Sequence, residues 1–409
     1  MRKFLLLAFR NVFRNRSRTA MTLLVVAGGV TGLLLVGGFF SFMFFGLRET
    51  TIQNGLGHMQ IYNADYFKRD EVRALDNGLD NFKGVVERVL AAPHVKGVAP
   101  RIEFYGMVSN GLKSSVFMGT ALDPVAEKSL GFWSRITSGR DLEAGDAEKN
   151  GAVVGAGLAR IMNVKPGDSL TLLAVTADGA LNGVDVDVVG IVTTGIKEMD
   201  DRLLRVPRQT GAHLLQSERI TKLVVGLDRT ENTDRVYADV LPRLGGLTQQ
   251  ITIKKWEELA TYYRQVKMLF SGIFMFLGVI VFFLVVTSSA NTIMMAMFER
   301  TREIGTMLAM GTPQSWLVAL FVLEAVITGV LGAIGGVVAG NAIGALLNQA
   351  HVVLPPPPGN TTGMPLRVLH EPGLMVGASL LVMLTLALAS VMPAVRASRL
   401  KIVEALSHV

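Results

Sequence analysis

The sequence predicts an α-helical membrane protein: four transmembrane helices, with a large α+β extracytoplasmic domain inserted between the first and second. Charged residues vanish from Arg18 to Arg48, from Lys267 to Glu299 and from Glu371 to Arg396, and Glu324 is the lone charge between Glu303 and Arg367. A run of roughly 20 apolar residues crosses the hydrocarbon core, so each gap can hold one span. The spans are placed at 19–47, 268–298, 316–347 and 373–395. Between the first two, residues 48–267 carry 28 basic and 28 acidic side chains, as a soluble domain would.

The surplus of +7 lies elsewhere, which argues against a nucleic-acid partner. Arg2 to Arg18 holds six basic residues and no acid, Arg300 and Arg302 follow the second span, and Arg396 to Lys401 follow the fourth. Four spans put all three stretches on one side. Lys and Arg beside span ends favour the cytoplasm, so both termini are expected inside and residues 48–267 and 348–372 outside. The first apolar run is too long for a signal peptide and reads as a retained anchor. Without cysteine the chain has no disulfide, thiol nucleophile or Cys-ligated metal.

Residues 1–18 contain a candidate interfacial helix, with Leu5, Ala8, Phe9, Val12 and Phe13 at helical spacing and Arg10 and Arg14 on the other side. The soluble segment alternates strands and helices. Strands are expected at 58–63, 98–109, 114–121, 221–227 and 249–253, with helices at 81–91 and 232–241, forming a split α+β lobe. Residues 123–218 would be an inserted, strand-rich lobe, with Val184, Val186 and Val188 alternating at period two. In the second outer loop Pro355 to Pro358 favours a stiff polyproline II spacer.

No catalytic constellation emerges. Gly155-Ala156-Gly157 begins like a dinucleotide turn, but Arg160 replaces the third small residue. The stretch Gly190 to Lys197 nearly spells a phosphate loop, yet Ile196 separates Gly195 from Lys197. Asp200-Asp201 reads as a solvated turn, the histidines are scattered singly, and no metal site is expected. An enzyme is not expected, and the chain should bind no cofactor itself.

Residues 299–315 should form a short cytoplasmic helix and turn. Gly311 suits its C-terminus, and Thr312-Pro313 suits the N-cap and first position of the next helix. Its face mixes charged Glu299, Arg302 and Glu303 with apolar Ile304, Met307 and Leu308, a pattern able to dock into a groove on another protein. The run Glu299 to Thr312, ERTREIGTMLAMGT, resembles the coupling helix of the FtsX-like, MacB-type superfamily of ABC transporter permeases. FRNVFRNRSRTAMTLL from Phe9 is similar to that family's N-terminal motif. Gly151 to Asp168 resembles the core of its periplasmic domain. Pro393 to Ser398, with Glu404-Ala405-Leu406, resembles its C-terminal motif, and the layout is nearest the lipoprotein-releasing permeases LolC and LolE.

The resemblance implies a bacterial inner-membrane permease subunit. A second subunit, identical or paralogous, would pair with it, and two copies of a separate ABC ATPase would hold ATP and Mg. Glu299, Arg302, Glu303, Ile304, Gly305, Met307, Leu308 and Gly311 would contact that ATPase. Lipoprotein or lipid extraction is the leading function, with membrane lipids and a periplasmic carrier or adaptor as partners. The alternatives are MacB-like export of a periplasmic substrate and FtsX-like signalling to a periplasmic hydrolase without transport.

Two features lie within the third span. Gly332, Gly336, Gly340 and Gly344 form a stripe that lets another helix approach closely. The fourth span or a second subunit would suit it, and the resemblance favours the fourth span. Glu324, about two turns into the span, is an ionisable group at depth and so a functional candidate, or a partner in helix packing.

Overall fold

The computed structural model describes residues 2–14, 16–68, 75, 77–131, 135–247, 249–356, 361 and 363–399. Pro357, Pro358 and the Glu404 to Leu406 motif lie outside the described residues. Two compact units emerge, Met1–Phe45 with Val266–Leu354 and Pro365–Val409, and Gly46–Gln265 with Pro355–Met364. The chain begins with helix α1 (Arg2–Arg14) and enters α2 (Arg16–Thr51), which ends in a π-helical turn, Ile52–Leu56. That turn closes at Gly55 (φ +120°) and Gly57 (φ +68°). A Cβ on Gly57 would stand 2.4 Å from Val224 Cγ1, so glycine is required there both by its dihedral and by its neighbour.

The second unit is built on one ten-stranded mixed sheet. In chain order its elements are β1 (Met59–Asn63), α3 (Lys83–Leu90), β2 (Val95–Ser109), β3 (Ser114–Leu122), α4 (Pro124–Leu130), β4 (Arg135–Gly139), β5 (Gly151–Gly155), α5 (Ala156–Met162), β6 (Ser169–Val175) and β7 (Leu181–Thr193). There follow α6 (Lys197–Asp200), β8 (Leu203–Pro207), α7 (Arg208–Leu215), β9 (Lys222–Leu227), α8 (Thr233–Arg243), β10 (Ile251–Lys255) and α9 (Trp256–Leu259). The order β10-β1-β9-β2 interleaves two βαβ segments, so that β9 lies antiparallel between β1 and β2.

Residues 123–218 differ from the expected inserted lobe, because their strands do not form a sheet of their own. β8 pairs parallel with β3, and β6 bridges from β7 to the far half of β2. The pairings β2–β3–β8–β5–β7–β6–β2 therefore close a ring of six strands. The 15-residue β2 makes this possible, since its first half pairs β9 and its second half β6.

One face of these strands is apolar and fully buried. Ile102, Phe117, Ala121, Leu204, Val206, Leu223 and Val225 pack with Val89 of α3, Leu158 of α5, Leu214 of α7 and Val240 of α8. The period of two puts Arg101, Glu103, Thr120, Arg205 and Lys222 on the opposite face.

The first unit contains α1, the apolar part of α2, and then α10 (Thr261–Glu299), α11 (Thr301–Ala309), α12 (Gln314–Gln349) and α13 (Pro372–Ser398). Among the described residues four stretches are long and apolar enough to cross a membrane: Thr19–Leu56, Thr261–Glu299, Gln314–Gln349 and Pro372–Ser398. Their packing is unequal. In α12, 44% of the most apolar window is buried within the chain, against 6% in α10, which leaves Phe276, Phe283 and Leu284 outward.

Candidate coupling site

Helix α11 is set off from α10 by a break at Arg300 (φ −108°, ψ 12°). The Thr301 hydroxyl satisfies the end of α10 by donating to the carbonyls of Phe298 (2.9 Å) and Met297 (3.1 Å). At its C-terminus Gly311 is left-handed (φ +87°). Its N–H reaches Leu308 O at 3.0 Å, and Thr312 N–H reaches Met307 O at 3.1 Å. That pair of bonds is a Schellman closure, which glycine accommodates without strain. Pro313 is the N-cap of α12, one place later than the sequence pattern implied.

The expected docking face divides in two. Thr301, Ile304 and Gly305 are buried, and Ile304 (1% exposed) packs among Met297, Leu317, Phe321, Ala394 and Ala397. Met307 and Leu308 pack half-buried against the same cluster. Ile304, Gly305, Met307 and Leu308 are thus turned toward their own helices, since an amphipathic helix buries its apolar stripe against the nearest apolar surface. Arg302, Glu303, Thr306 and Met310 face outward, with Gly311 exposed beside them. Glu303 is held within the chain: Arg14 Nη2 and Nη1 donate to its two carboxylate oxygens at 2.6 and 3.0 Å. Those bonds hold the Glu303 carboxyl below the ordinary carboxylate range.

Glu324 lies in a pocket of about 480 Å³ bordered by Thr19, Thr22, Thr292, Glu299 and Thr328 and by apolar Ile293, Phe321 and Leu386. Asn11 Nδ2 donates to Glu324 Oε1 at 2.6 Å, Arg300 Nη1 lies 3.4 Å from the same oxygen, and Arg300 Nη2 donates to Asn11 O at 3.1 Å. Glu324 thus joins α1, the start of α11 and α12. Sequence reasoning missed Asn11, Arg14 and Arg300 as its surroundings, although a lone carboxylate in a span signals a partner. On α1, Ala8 and Val12 are buried while Phe9 and Phe13 are about half exposed, so the expected apolar face is shared between the helix bundle and the outside.

The glycine stripe faces the first span, not the fourth. A Cβ on Gly332 would lie 2.4 Å from Val26 Cγ1, and one on Gly336 would lie 2.6 Å from Val30 Cβ. One on Gly340 would stand 3.2 Å from Leu34 Cδ1. Gly344 instead meets Val368 and His370 at 3.3 Å. Val26, Val30 and Leu34 recur every four residues, so two rows of equal pitch interlock. The fourth span takes another side of α12, where Gly329 meets Met383 at 3.4 Å.

The rejected motifs have structural roles. Gly155 and Gly157 lie where a Cβ would meet Asp200 O at 2.3 Å and Asp201 Oδ1 at 2.0 Å. Asp200 is 3% exposed and accepts from Thr194 N and Oγ1, both at 2.7 Å, so it is a buried turn staple rather than a solvated residue. Asp201 pairs with Lys197 at 3.1 Å. Among the described residues no group of three His, Asp or Glu side chains could hold a metal ion.

Residues 19–242, more than half of the chain, match the family model of the MacB-like periplasmic core domain, and residues 269–402 match that of the FtsX-like permease C-terminal region. The chain belongs to this family of ABC transporter permeases. The permease is 22% identical over 281 residues to the lipoprotein-releasing system transmembrane protein LolE of Haemophilus influenzae, a match covering 65% of each chain. It is 23% identical over 351 residues to the lipoprotein-releasing system transmembrane protein LolC of Neisseria meningitidis, covering 81% of the permease and 79% of that protein. A third relative is the macrolide export ATP-binding/permease protein MacB 2 of Aeromonas hydrophila, 24% identical over 84% of the permease and 52% of its own length. Its four membrane-capable helices and periplasmic core domain make the permease a membrane protein with an extracytoplasmic domain.

Proposed function

We propose that this chain is the non-catalytic subunit of a transporter in which a separate ATPase, holding ATP and Mg, drives movement of the extracytoplasmic domain. The carrying observation is α11, closed at Gly311, anchored through Ile304, and presenting Arg302, Thr306 and Met310 outward. In this reading that face receives the ATPase, with both termini in the cytoplasm of a bacterial cell and the membrane being the inner one. Two permease subunits and two ATPase copies make up the assembly. The bare apolar surface of α10 supports pairing with a second subunit, identical or paralogous.

For cargo, the two lipoprotein-releasing relatives support extraction of lipoprotein or lipid from the membrane, with a periplasmic carrier or adaptor receiving it. MacB-like export is the second reading, favoured by the relative matched over 84% of the permease.

The test is co-purification with the ATPase and ATP-driven release from membranes. Arg302→Glu with Met310→Asp should lose the ATPase and stop transport, while Lys149→Ala on the other unit should do neither. Losing one member of a desolvated charge pair costs roughly 2–5 kcal/mol of binding, a difference of more than tenfold. Full ATPase retention in the double variant would overturn the assignment of α11.

A further inference from the structure

The free face of the sheet in the extracytoplasmic unit changes character along its strands. Toward the start of β2 it is charged and lines a cavity of about 690 Å³, a size within the roughly 300–1,000 Å³ of small-ligand sites. Arg101 of β2 is paired with Glu127 of α4 at 2.6 and 2.8 Å, and Lys222 of β9 lies 2.5 Å from Glu103 of β2. On the remaining lining Arg205 and Lys128 are matched in number by Asp141 and Glu198. The charges therefore balance within the wall, and a guest with a net charge of either sign would leave one uncompensated at depth.

Neutral donors and acceptors share the lining, among them Gln53, Thr120 and the Tyr262 hydroxyl. Leu47 and Leu56, also on the lining, belong to the outer end of the first membrane-capable stretch, and Tyr262 to the first turn of the second. The cavity is thus bordered by the two segments that leave the membrane for this unit, and tyrosine is at home at such an interface.

Further along the same strands the face becomes apolar. Leu203, Met118 and Tyr105 stand side by side on β8, β3 and β2, and Val116, Met107 and Leu173 form the next row on β3, β2 and β6. Leu203 and Met118 also line the cavity, so this strip begins inside it. Tyr105, Met107, Val116 and Met118 are between 44% and 59% exposed. A sheet face turned to water ordinarily carries polar side chains, and here neighbouring positions on four strands are apolar. From Glu103 to Met107 the strip runs about 13 Å at about 3.3 Å per residue, against about 15 Å for the chains of one bilayer leaflet.

We propose that cavity and strip together bind a single-chain lipid with an uncharged, hydroxyl-bearing head, the head at Gln53 and Thr120 and the chain along Leu203, Met118, Tyr105 and Met107. The site lies within one chain, and it stands whether or not α11 receives an ATPase.

The experiment uses the full chain in phosphatidylcholine nanodiscs without the ATPase, so its outcome is separate from that of the coupling assignment. The probe is a monoacylglycerol carrying a diazirine in its chain, and labels are mapped by mass spectrometry; those on the spans come from the bilayer and are read separately. Within the extracytoplasmic unit, labelling should saturate and fall on Leu203, Met118, Tyr105 and Met107. Unlabelled monoacylglycerol should compete at least tenfold better than lysophosphatidic acid of the same chain, which adds charge, or glycerol, which has no chain. Leu203→Trp, which fills the cavity, and Met107→Asp, which charges the strip, should each raise the half-saturating concentration tenfold or more. Leu112→Asp, at the 93% exposed tip of the β2–β3 hairpin, should leave it unchanged. Equal competition by either control, labelling that avoids the strip, or labelling unchanged in both Leu203→Trp and Met107→Asp would overturn the proposal. Disulfide formation between two copies of the Met107→Cys chain, which has no other cysteine, would show a second copy covering the strip and would overturn it as well.

Discussion

The seam between the first and third spans can be tested one atom at a time. An added Cβ at Gly336 would sit 2.6 Å from Val30 Cβ and 2.7 Å from the Ala27 carbonyl oxygen, about 1 Å inside ordinary contact. Thr31 Oγ1 also donates to Gly336 O at 3.1 Å, a bond worth about 0.6 kcal/mol in a membrane bundle. Gly336→Ala must therefore part the helices, and overpacking of this kind costs about 1–3 kcal/mol. At Gly332 the close neighbours are Val26 Cγ1 and Cβ, at 2.4 and 2.8 Å, both side-chain atoms. Val26→Ala removes the nearer of these two atoms and should rescue Gly332→Ala in part, whereas Val30→Ala leaves both Val30 Cβ and the Ala27 carbonyl in place and should rescue Gly336→Ala little. Gly335 has only Ala27 Cβ, at 3.8 Å, so Gly335→Ala should be neutral or, through helix propensity, up to about 1 kcal/mol stabilising. Thermal unfolding of the purified chain in one detergent measures all five variants. Equal tolerance at 332, 335 and 336, or full rescue of Gly336→Ala by Val30→Ala, would refute the seam.

Ile304→Ala should cost roughly 2–5 kcal/mol locally, against at most about 1 kcal/mol for Glu303→Gln, whose partner pair is half exposed. Hydrogen exchange across α11 should accelerate strongly in the first variant and little in the second. His58 is buried, its Nδ1 accepts from Leu227 N–H at 3.1 Å, and burial lowers its pKa below the usual 6.5. The unfolded chain then binds more protons below about pH 6.5, so protection of the strand amides should be flat above that pH. It should fall below it by at most about 1.4 kcal/mol per unit, and His58→Gln should flatten the curve. Asp200→Ala strands Thr194 N–H and should destabilise the extracytoplasmic unit by about 1–3 kcal/mol, read as lost exchange protection in β7 and α6.

The four spans were legible because lipid tolerates so few charges that gaps in charge are gaps in water. The stripe at Gly332, Gly336 and Gly340 was legible as a place of close approach, but its partner was not. Val26, Val30 and Leu34 have the same spacing, yet they stand in a run where nearly every residue is apolar, so no contrast marks the row. For α11 the composition was informative and its direction was not. Ile304 is apolar for its own bundle's sake, and only the packing distinguishes that from an apolar patch awaiting a partner. The six-strand ring depends on β6 joining β2 across more than 60 residues, and strand periodicity carries no register information at that range. The same blindness hid the cavity. Arg101, Arg205 and Lys222 each look like the polar half of an alternating strand, and only the pairings set them on one wall.

These magnitudes also decide how a displacement of α11 would travel. Two of the connections that leave the helix can be compared. One is the Arg14–Glu303 pair, whose side chains are 52% and 49% exposed; water screens it, and it yields under a load of about 1 kcal/mol. The other is Ile304, buried against residues of α10, α12 and α13, where full burial of such a side chain is worth roughly 1.5–3 kcal/mol. The apolar contact is the stiffer of the two, so α11 should move as one body with the ends of those three helices, and α1 should follow more loosely. From there the Glu324 cluster and the interlocked rows act on the same helix, α12, at successive turns. The first span meets α12 through backbone-level contacts that leave no space to slide. If α11 receives the ATPase as proposed, a push on it should reach the first span by way of α12 more than through the N-terminal helix, and the seam at Gly332 and Gly336 should then matter to coupling as much as to stability.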